Sequence, residues 1–333
     1  MKPFTFKALV AEEVNGEFIQ TVKSVPTSIL PDHDVVIQVQ YSSLNYKDML
    51  SATGDHRVTK CYPFIPGIDA AGTVFYSKDK RYKKGDEVIV TSFDLGMNTP
   101  GGFGRYISVP GDWIIPLPDS MSLKESMMIG TSGLTAAMGV KKIVDHNISP
   151  ADGRVVVSGA TGAVGTFSIA LLSHLGFQCD VITGKQTRHK FLKSLGASTV
   201  IDRDQFYATE KKPLMKSRWI AGLDSVGGNM LDLILRQIAH NGILTCCGNV
   251  SGETIETSIY PFILRGVSLM GIDSGIATFQ DRLDIWNLFA TDWKLTNLAD
   301  FSTTVDLSTL SSEILNVLKS DRIGNTLVQL SDS

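Results

Sequence analysis

The stretch "RVVVSGATGAVGTFSIALLSHLG" at 154–176, followed at once by "FQCDVIT", constrains this chain more than any other. A short run of β-branched residues enters a turn with glycines at 159, 162 and 165. An apolar-periodic segment leads away from the turn, and a second apolar strand follows. Strand, glycine turn, helix and strand in that order form a βαβ unit of a parallel sheet. At the start of such a helix the backbone N–H groups lack partners and the dipole is positive, so the turn suits a phosphate. Glycine removes the Cβ atoms that would block its approach, and the last glycine lets the helix pack against the strand. The ligand expected there is a dinucleotide.

Which dinucleotide is read at the end of the second strand, about 20 residues past the glycines. An NAD site places an acid there to take the ribose hydroxyls. This chain has Thr183-Gly184-Lys185, with Arg188 shortly after and Arg203 following a third strand "STVID". A hydroxyl, a glycine N–H and cations suit a 2′-phosphate, so NADPH is the expected cofactor.

Strand and helix alternate from about residue 126 to 275, with apolar strands at 219–226, 242–248 and 268–273 and a helix over 228–240. That pattern predicts a doubly wound parallel sheet, an α/β domain. Residues 1–125 read instead as short β-rich runs, "VVIQVQYSSL", "AGTVFYS", "DEVIVTSF" and "RYISVP", with one short helix near 46–54. They predict a β-barrel or sandwich. The segment of about 276–333 holds an amphipathic helix and a strand-like "NTLVQL", expected to rejoin the first domain.

The whole chain is 333 residues with a net charge of −3, which offers no basic footprint for nucleic acid. Its four cysteines show no paired spacing, so neither a disulfide framework nor a zinc knuckle is expected. No leader and no membrane-spanning stretch is legible, and the expected location is cytoplasmic.

"SSLNYKDML" at 42–50 gathers Asn45, Tyr46 and Asp48 at a helix start. Read locally, it is a cap by Asn45 or Ser43 with Asp48 in the first turn. Together with "PGIDAAGTV", "GDWIIPLP", "LKSLGAS" and "PFILRGVSLMGIDS", however, "SSLNYKD" resembles the zinc-free medium-chain dehydrogenase/reductase superfamily along nearly the full length. Within it, the chain is similar to the acryloyl-CoA reductase and quinone oxidoreductase-like group.

The resemblance implies a GroES-like β-barrel domain followed by a Rossmann domain, a homodimer, and NADPH-dependent reduction of an activated C=C bond. The superfamily's zinc enzymes have a cysteine at the position of Asn45 and Gly-His-Glu at Gly67-Ile68-Asp69. No histidine lies near either place, so no metal is expected. Carried across, Tyr46 falls beside the nicotinamide, and Thr161, Gly162, Ala163 and Val164 on the pyrophosphate turn. Thr183, Gly184, Lys185 and Arg203 fall around the 2′-phosphate, and Asn249 where the backbone skirts the nicotinamide. Two positions depart from the group: Arg105 stands for a glutamate, and Asn325 for an arginine.

A short 2-enoyl-CoA such as acryloyl-CoA would take hydride at its β-carbon and a proton at its α-carbon. Asn45 is the expected amide donor, orienting the nicotinamide or polarising the carbonyl. Tyr46 is expected to pack on the nicotinamide and is one candidate to relay the proton; no His, Lys or Cys stands out as a general acid, so water or a cofactor ribose hydroxyl is the alternative source. Asp48 is expected to hold neighbouring backbone, because an unperturbed carboxylate is a poor acid at pH 7. Arg57, Lys60 and Arg105 are candidate partners for coenzyme A phosphates, and each reads equally well as a surface charge. Two other readings stay open: an NADPH:quinone oxidoreductase, and a non-catalytic NADPH-binding redox sensor.

Overall fold

The computed structural model describes residues 3–319 and 322–330. The described residues divide into two compact units: those of 3–131, 275–292 and 296–330 form the first, and 132–274 with 293–295 the second.

The first unit opens with a hairpin, β1 (Thr5–Val14) and β2 (Glu17–Pro26). Its turn is Asn15-Gly16, both at positive φ (54° and 84°), the pair a two-residue hairpin prefers. Sequence reasoning missed this hairpin. Then come β3 (Val35–Leu44), α1 (Tyr46–Ala52), β4 (Asp69–Ser77), β5 (Glu87–Thr91), β6 (Tyr106–Val109) and β7 (Ile114–Pro116). Helix α2 (Leu123–Asp145) follows, broken at Gly130 by φ 53° and ψ −163°.

The second unit holds β8 (Val155–Val157), α3 (Ala163–His174), β9 (Cys179–Thr183), α4 (His189–Ser194), β10 (Ala197–Asp202) and α5 (Arg203–Tyr207). It continues with β11 (Trp219–Asp224), α6 (Gly228–Leu235), β12 (Ile238–Cys246), α7 (Tyr260–Arg265) and β13 (Ser268–Gly271). The six strands run parallel in the order β10-β9-β8-β11-β12-β13, the doubly wound arrangement expected. One boundary differs. The helix predicted over 228–240 stops at Leu235, because Ile238 already pairs with Trp219 of β11. An apolar run buried on all sides looks alike as helix or strand.

The return segment supplies α8 (Phe279–Ala290), β14 (Ser302–Asp306), α9 (Leu307–Leu318) and β15 (Asn325–Gln329). Strand β15 lies between β14 and β3, so the C-terminal strand does rejoin the first unit's sheet. Leu310 and Ile314 of α9 and Val328 of β15 enter one core with Leu9, Val39 and Phe103. Arg282 of α8, 1% exposed, adds a polar tie: it donates to Thr91 O (2.9 Å) and Oγ1 (2.8 Å). Its guanidinium stands 4.2 Å from the Phe93 ring centre.

Candidate active site

The residues selected from the sequence form two clusters, one in each unit. In the first unit the polar chemistry centres on Asp69, at the start of β4 and fully buried. Its carboxylate accepts from Asn45 Nδ2 (2.8 Å), Thr131 N (2.8 Å), Thr131 Oγ1 (2.5 Å) and Ser43 Oγ. The Gly130 break in α2 turns the Thr131 N–H toward Asp69. A Cβ at residue 130 would stand 2.8 Å from Asp69 Oδ2, so glycine fits here on two counts. Burial pushes the Asp69 carboxyl up from its usual range, against the pull of these donors. Sequence reasoning noted Asp69 only as the stand-in for a metal ligand.

Asn45 is part of this network. Its amide nitrogen is turned inward to Asp69, with longer approaches to Ser43 O (3.3 Å) and Oγ (3.4 Å). In this position it fixes the start of α1. Asp48 accepts from Asn45 N (2.7 Å) on Oδ2, and from Gly67 N (3.1 Å) and Ile68 N (2.8 Å) on Oδ1. It holds neighbouring backbone, as the sequence suggested. The premise that it is unperturbed fails: burial raises its carboxyl to about 7, and the nearby Asp69 charge acts in the same direction. Tyr46, the first residue of α1, is 51% exposed.

This donor set does not fit a zinc ion. The Asp69 carboxylate is occupied by four donors and the nearby Asp48 carboxyl by three backbone N–H groups, and the other members are an amide and hydroxyls. Among the described residues no three His, Cys, Asp or Glu side chains group to hold a metal.

In the second unit the turn after β8 leads into α3, whose N-cap is Gly162. Gly162 is exposed and Ala163 and Val164 half-buried, whereas Thr161 is buried. A Cβ at Gly165 would collide with Gly159 O, so this glycine is required by the close packing of helix on turn. The α3 N-terminus thus presents backbone to solvent in the form a pyrophosphate needs.

At the end of β9, the buried Thr183 Oγ1 accepts from Lys185 N (3.1 Å). The Arg203 guanidinium lies against Gly184: a Cβ there would come within 2.7 Å of Arg203 Cζ. Thr183, Gly184, Lys185 and Arg203 are therefore brought together. Sequence reasoning missed an acid beside them, Asp202, which pairs with Thr183 in the sheet. Its Oδ1 caps α5 by accepting from Asp204 N and Gln205 N, both at 3.0 Å, and these donors help hold it below the usual carboxylate range. Asn249 lies exposed on the loop after β12, its carbonyl accepting from Gly252 N (3.0 Å).

The two departures have structural roles. Asn325 is buried and donates to Met127 O (3.2 Å) and Met128 O (2.8 Å), just before the break in α2. Arg105 donates to Leu330 O and lines, with Lys7 and the first turn of α9, a cavity of about 660 Å³. Arg57 is paired with Asp55 at 2.6 Å.

Comparison with known proteins places these observations. A family model for the alcohol dehydrogenase GroES-like domain matches residues 31–119, and one for zinc-binding dehydrogenase matches 163–287. YhfP of Bacillus subtilis, which bears a quinone oxidoreductase name, is 40% identical over 98% of this chain and 99% of its own. A solved structure of Bacillus subtilis yhfP with NAD bound covers 98% of this chain and 100% of its own at a TM-score of 0.94. Acrylyl-CoA reductase AcuI of Ruegeria pomeroyi is 36% identical over 98% of this chain and 99% of its own. The yhdH oxidoreductase of Salmonella enterica, solved in complex with NADP, is 38% identical, with a TM-score of 0.94 over 98% of this chain and 100% of its own. With full-length relatives at this identity and both halves of the fold matched, the chain belongs to the medium-chain dehydrogenase/reductase superfamily.

Proposed function

We propose that this chain is a zinc-independent, NADPH-dependent reductase of an activated C=C bond, acting on a short 2-enoyl-CoA such as acryloyl-CoA. The observation that carries the cofactor assignment is the Arg203 guanidinium over Gly184, beside Thr183 and Lys185. Two cations and a hydroxyl suit a 2′-phosphate, and the acid next to them is occupied in capping α5. The NADP-bound relative supports the same choice. The AcuI name at 36% identity supports the enoyl thioester.

When bound, NADPH supplies the hydride for the β-carbon. The chain's own residues bind and orient. The turn of Thr161, Gly162, Ala163 and Val164 offers backbone N–H groups to the pyrophosphate, and Asn249 is assigned to the nicotinamide side. In the first unit Asp69, Asn45 and Asp48 fix the first turn of α1, which presents Tyr46. We assign the Tyr46 hydroxyl to the proton bound for the α-carbon.

Quinone reduction is the second reading, favoured by the YhfP name at 40% identity. The deciding experiment follows NADPH oxidation at 340 nm with acryloyl-CoA, crotonoyl-CoA and a benzoquinone. Oxidation confined to the short enoyl thioester supports the reductase, and turnover on the quinone alone promotes the second reading. Tight NADPH binding with no turnover makes the chain a redox sensor.

We extend the proposal to a homodimer. Strand β13 is an edge strand, and beside it in sequence Ile263 (64%) and Leu264 (54%) of α7 are exposed. Light scattering of the wild-type chain and of Ile263→Glu tests this; a monomeric wild type refutes it. All four cysteines are free thiols, which suits a cytoplasmic location.

A further inference from the structure

Parallel strands β8 and β11 are neighbours, Val157 opposite Leu223, and chain order runs outward on either side of them. In an open parallel sheet that point is where ligands bind. The residues that leave these strands are Ser158 and Asp224, both fully buried. Ser158 Oγ donates to Asp224 Oδ1 at 2.5 Å. Asp224 Oδ2 accepts from Gly227 N (2.7 Å) and Val226 N (3.2 Å). Ser158 Oγ accepts in turn from Ser225 N (3.2 Å), and Ser225 Oγ donates to Ser158 O (3.2 Å).

The web reaches a third loop. Asp224 O accepts from Cys247 N (3.0 Å), Val226 O from Ser251 N (2.9 Å), and Gly227 O from Ser251 Oγ (3.0 Å). Ser158 and the Asp224 carboxylate thus tie the residue that enters the glycine turn to the 225–227 loop after β11, and the main chain of 224–227 in turn holds the 247–252 loop that carries Asn249. A buried carboxylate is costly unless its lone pairs are filled, and here side-chain and backbone donors fill them. Simple core filling would be better served by an apolar side chain. None of these atoms belongs to a residue assigned above to the cofactor.

We infer that Ser158 and Asp224 are a positioning pair that couples the pyrophosphate turn to the nicotinamide-side loop, so that the two halves of the dinucleotide site are set together. The inference rests on the dinucleotide reading of this unit, and not on the identity of the oxidising substrate.

The test is titration of purified full-length wild type, Ser158→Ala and Asp224→Asn with NADPH and with adenosine 2′-monophosphate. The latter carries only the end of the cofactor assigned to Thr183, Lys185 and Arg203. Circular dichroism establishes that each variant is folded, and Ser158→Ala removes a single hydroxyl should Asp224→Asn fail to fold. The expected result for Ser158→Ala is an NADPH Kd raised about tenfold, the loss of one hydrogen bond to a charged group, with the monophosphate Kd changed less than twofold. An unchanged NADPH Kd overturns the pair, and so does equal loss for both ligands. If wild type itself does not bind NADPH, the cofactor reading falls and the inference with it. Because turnover is not measured, the outcome is independent of whether acryloyl-CoA is the substrate.

Discussion

The side-chain amide of Asn45 donates to Oδ2 of Asp69 at 2.8 Å, joining the start of α1 to the start of β4. The same carboxylate takes Ser43 and both donors of Thr131, so its removal strands several buried groups at once. Asp69→Ala is expected to destabilise the fold by about 3 kcal/mol or more. Urea unfolding measures this. A loss below roughly 1 kcal/mol would mean that water substitutes for the carboxylate.

Tyr46 stands at the opposite extreme. Being half exposed, it contributes little packing, and Tyr46→Ala should change stability by no more than about 0.5 kcal/mol. In the proton-handling role proposed for it, its removal should nevertheless lower kcat by roughly 100-fold, with a smaller effect on NADPH binding. A variant with wild-type kcat removes Tyr46 from the site.

The 2′-phosphate site proposed at Thr183, Lys185 and Arg203 predicts a split between cofactors. Lys185→Glu should raise the KM for NADPH about tenfold or more, the loss of a charge-assisted contact, and leave the KM for NADH unchanged or lower. Gly184→Ala should act in the same direction by displacing the Arg203 guanidinium. Equal losses with NADPH and NADH would sink the assignment.

Asp48 predicts a pH dependence. Its carboxyl keeps a proton up to about pH 7 in the folded chain, against an ordinary value of 3.8. Between those values the folded state binds more protons than the unfolded one, so this group's contribution to stability falls as pH rises from about 4 to 7 and is level above that. Asp69 and Asp224, also raised by burial, add to the same slope. Unfolding free energies of wild type and Asp48→Asn at pH 5, 6, 7 and 8 isolate the Asp48 share. The variant should show the shallower decline, and coincident slopes would place Asp48 in the ordinary carboxylate range.

Asn325 should prove structural. Asn325→Ala removes the donors to Met127 O and Met128 O and the acceptor of Arg322 Nη2 (3.0 Å), at a cost of about 1–3 kcal/mol. The KM for NADPH should stay within a factor of about two, and a large rise would return this position to the cofactor.

How much of this was legible in the sequence depended on distance along the chain. The parallel sheet announced itself because Val155–Val157 and Cys179–Thr183 are short apolar runs set between helical periods. The glycine turn was legible for the same reason: all its parts are local. The β1–β2 hairpin was missed although Asn15-Gly16 is the turn signal for it, and α9 was missed although Asp306 is an evident cap for "LSTLSSEILNVL". The Asp69 network lay beyond reach in principle, since its partners at Ser43, Asn45 and Thr131 come from separate segments. Asp48 looked unperturbed for a related reason. Its raised pKa comes from burial, which the helix-start motif does not encode.

The position of β15 between β14 and β3 also sets an order of events during synthesis. Residues 132–274 are nearly a complete unit as soon as they leave the ribosome, whereas the first unit waits for its last strand. Until Thr326 to Gln329 emerge, the edge of β3 from Leu44 to Tyr41 has no partner, and it borders the segment that carries Asn45 and Tyr46. The β sheet therefore keeps an open edge while the whole second unit is being made, and an open edge is the part of a sheet most prone to pair with another chain.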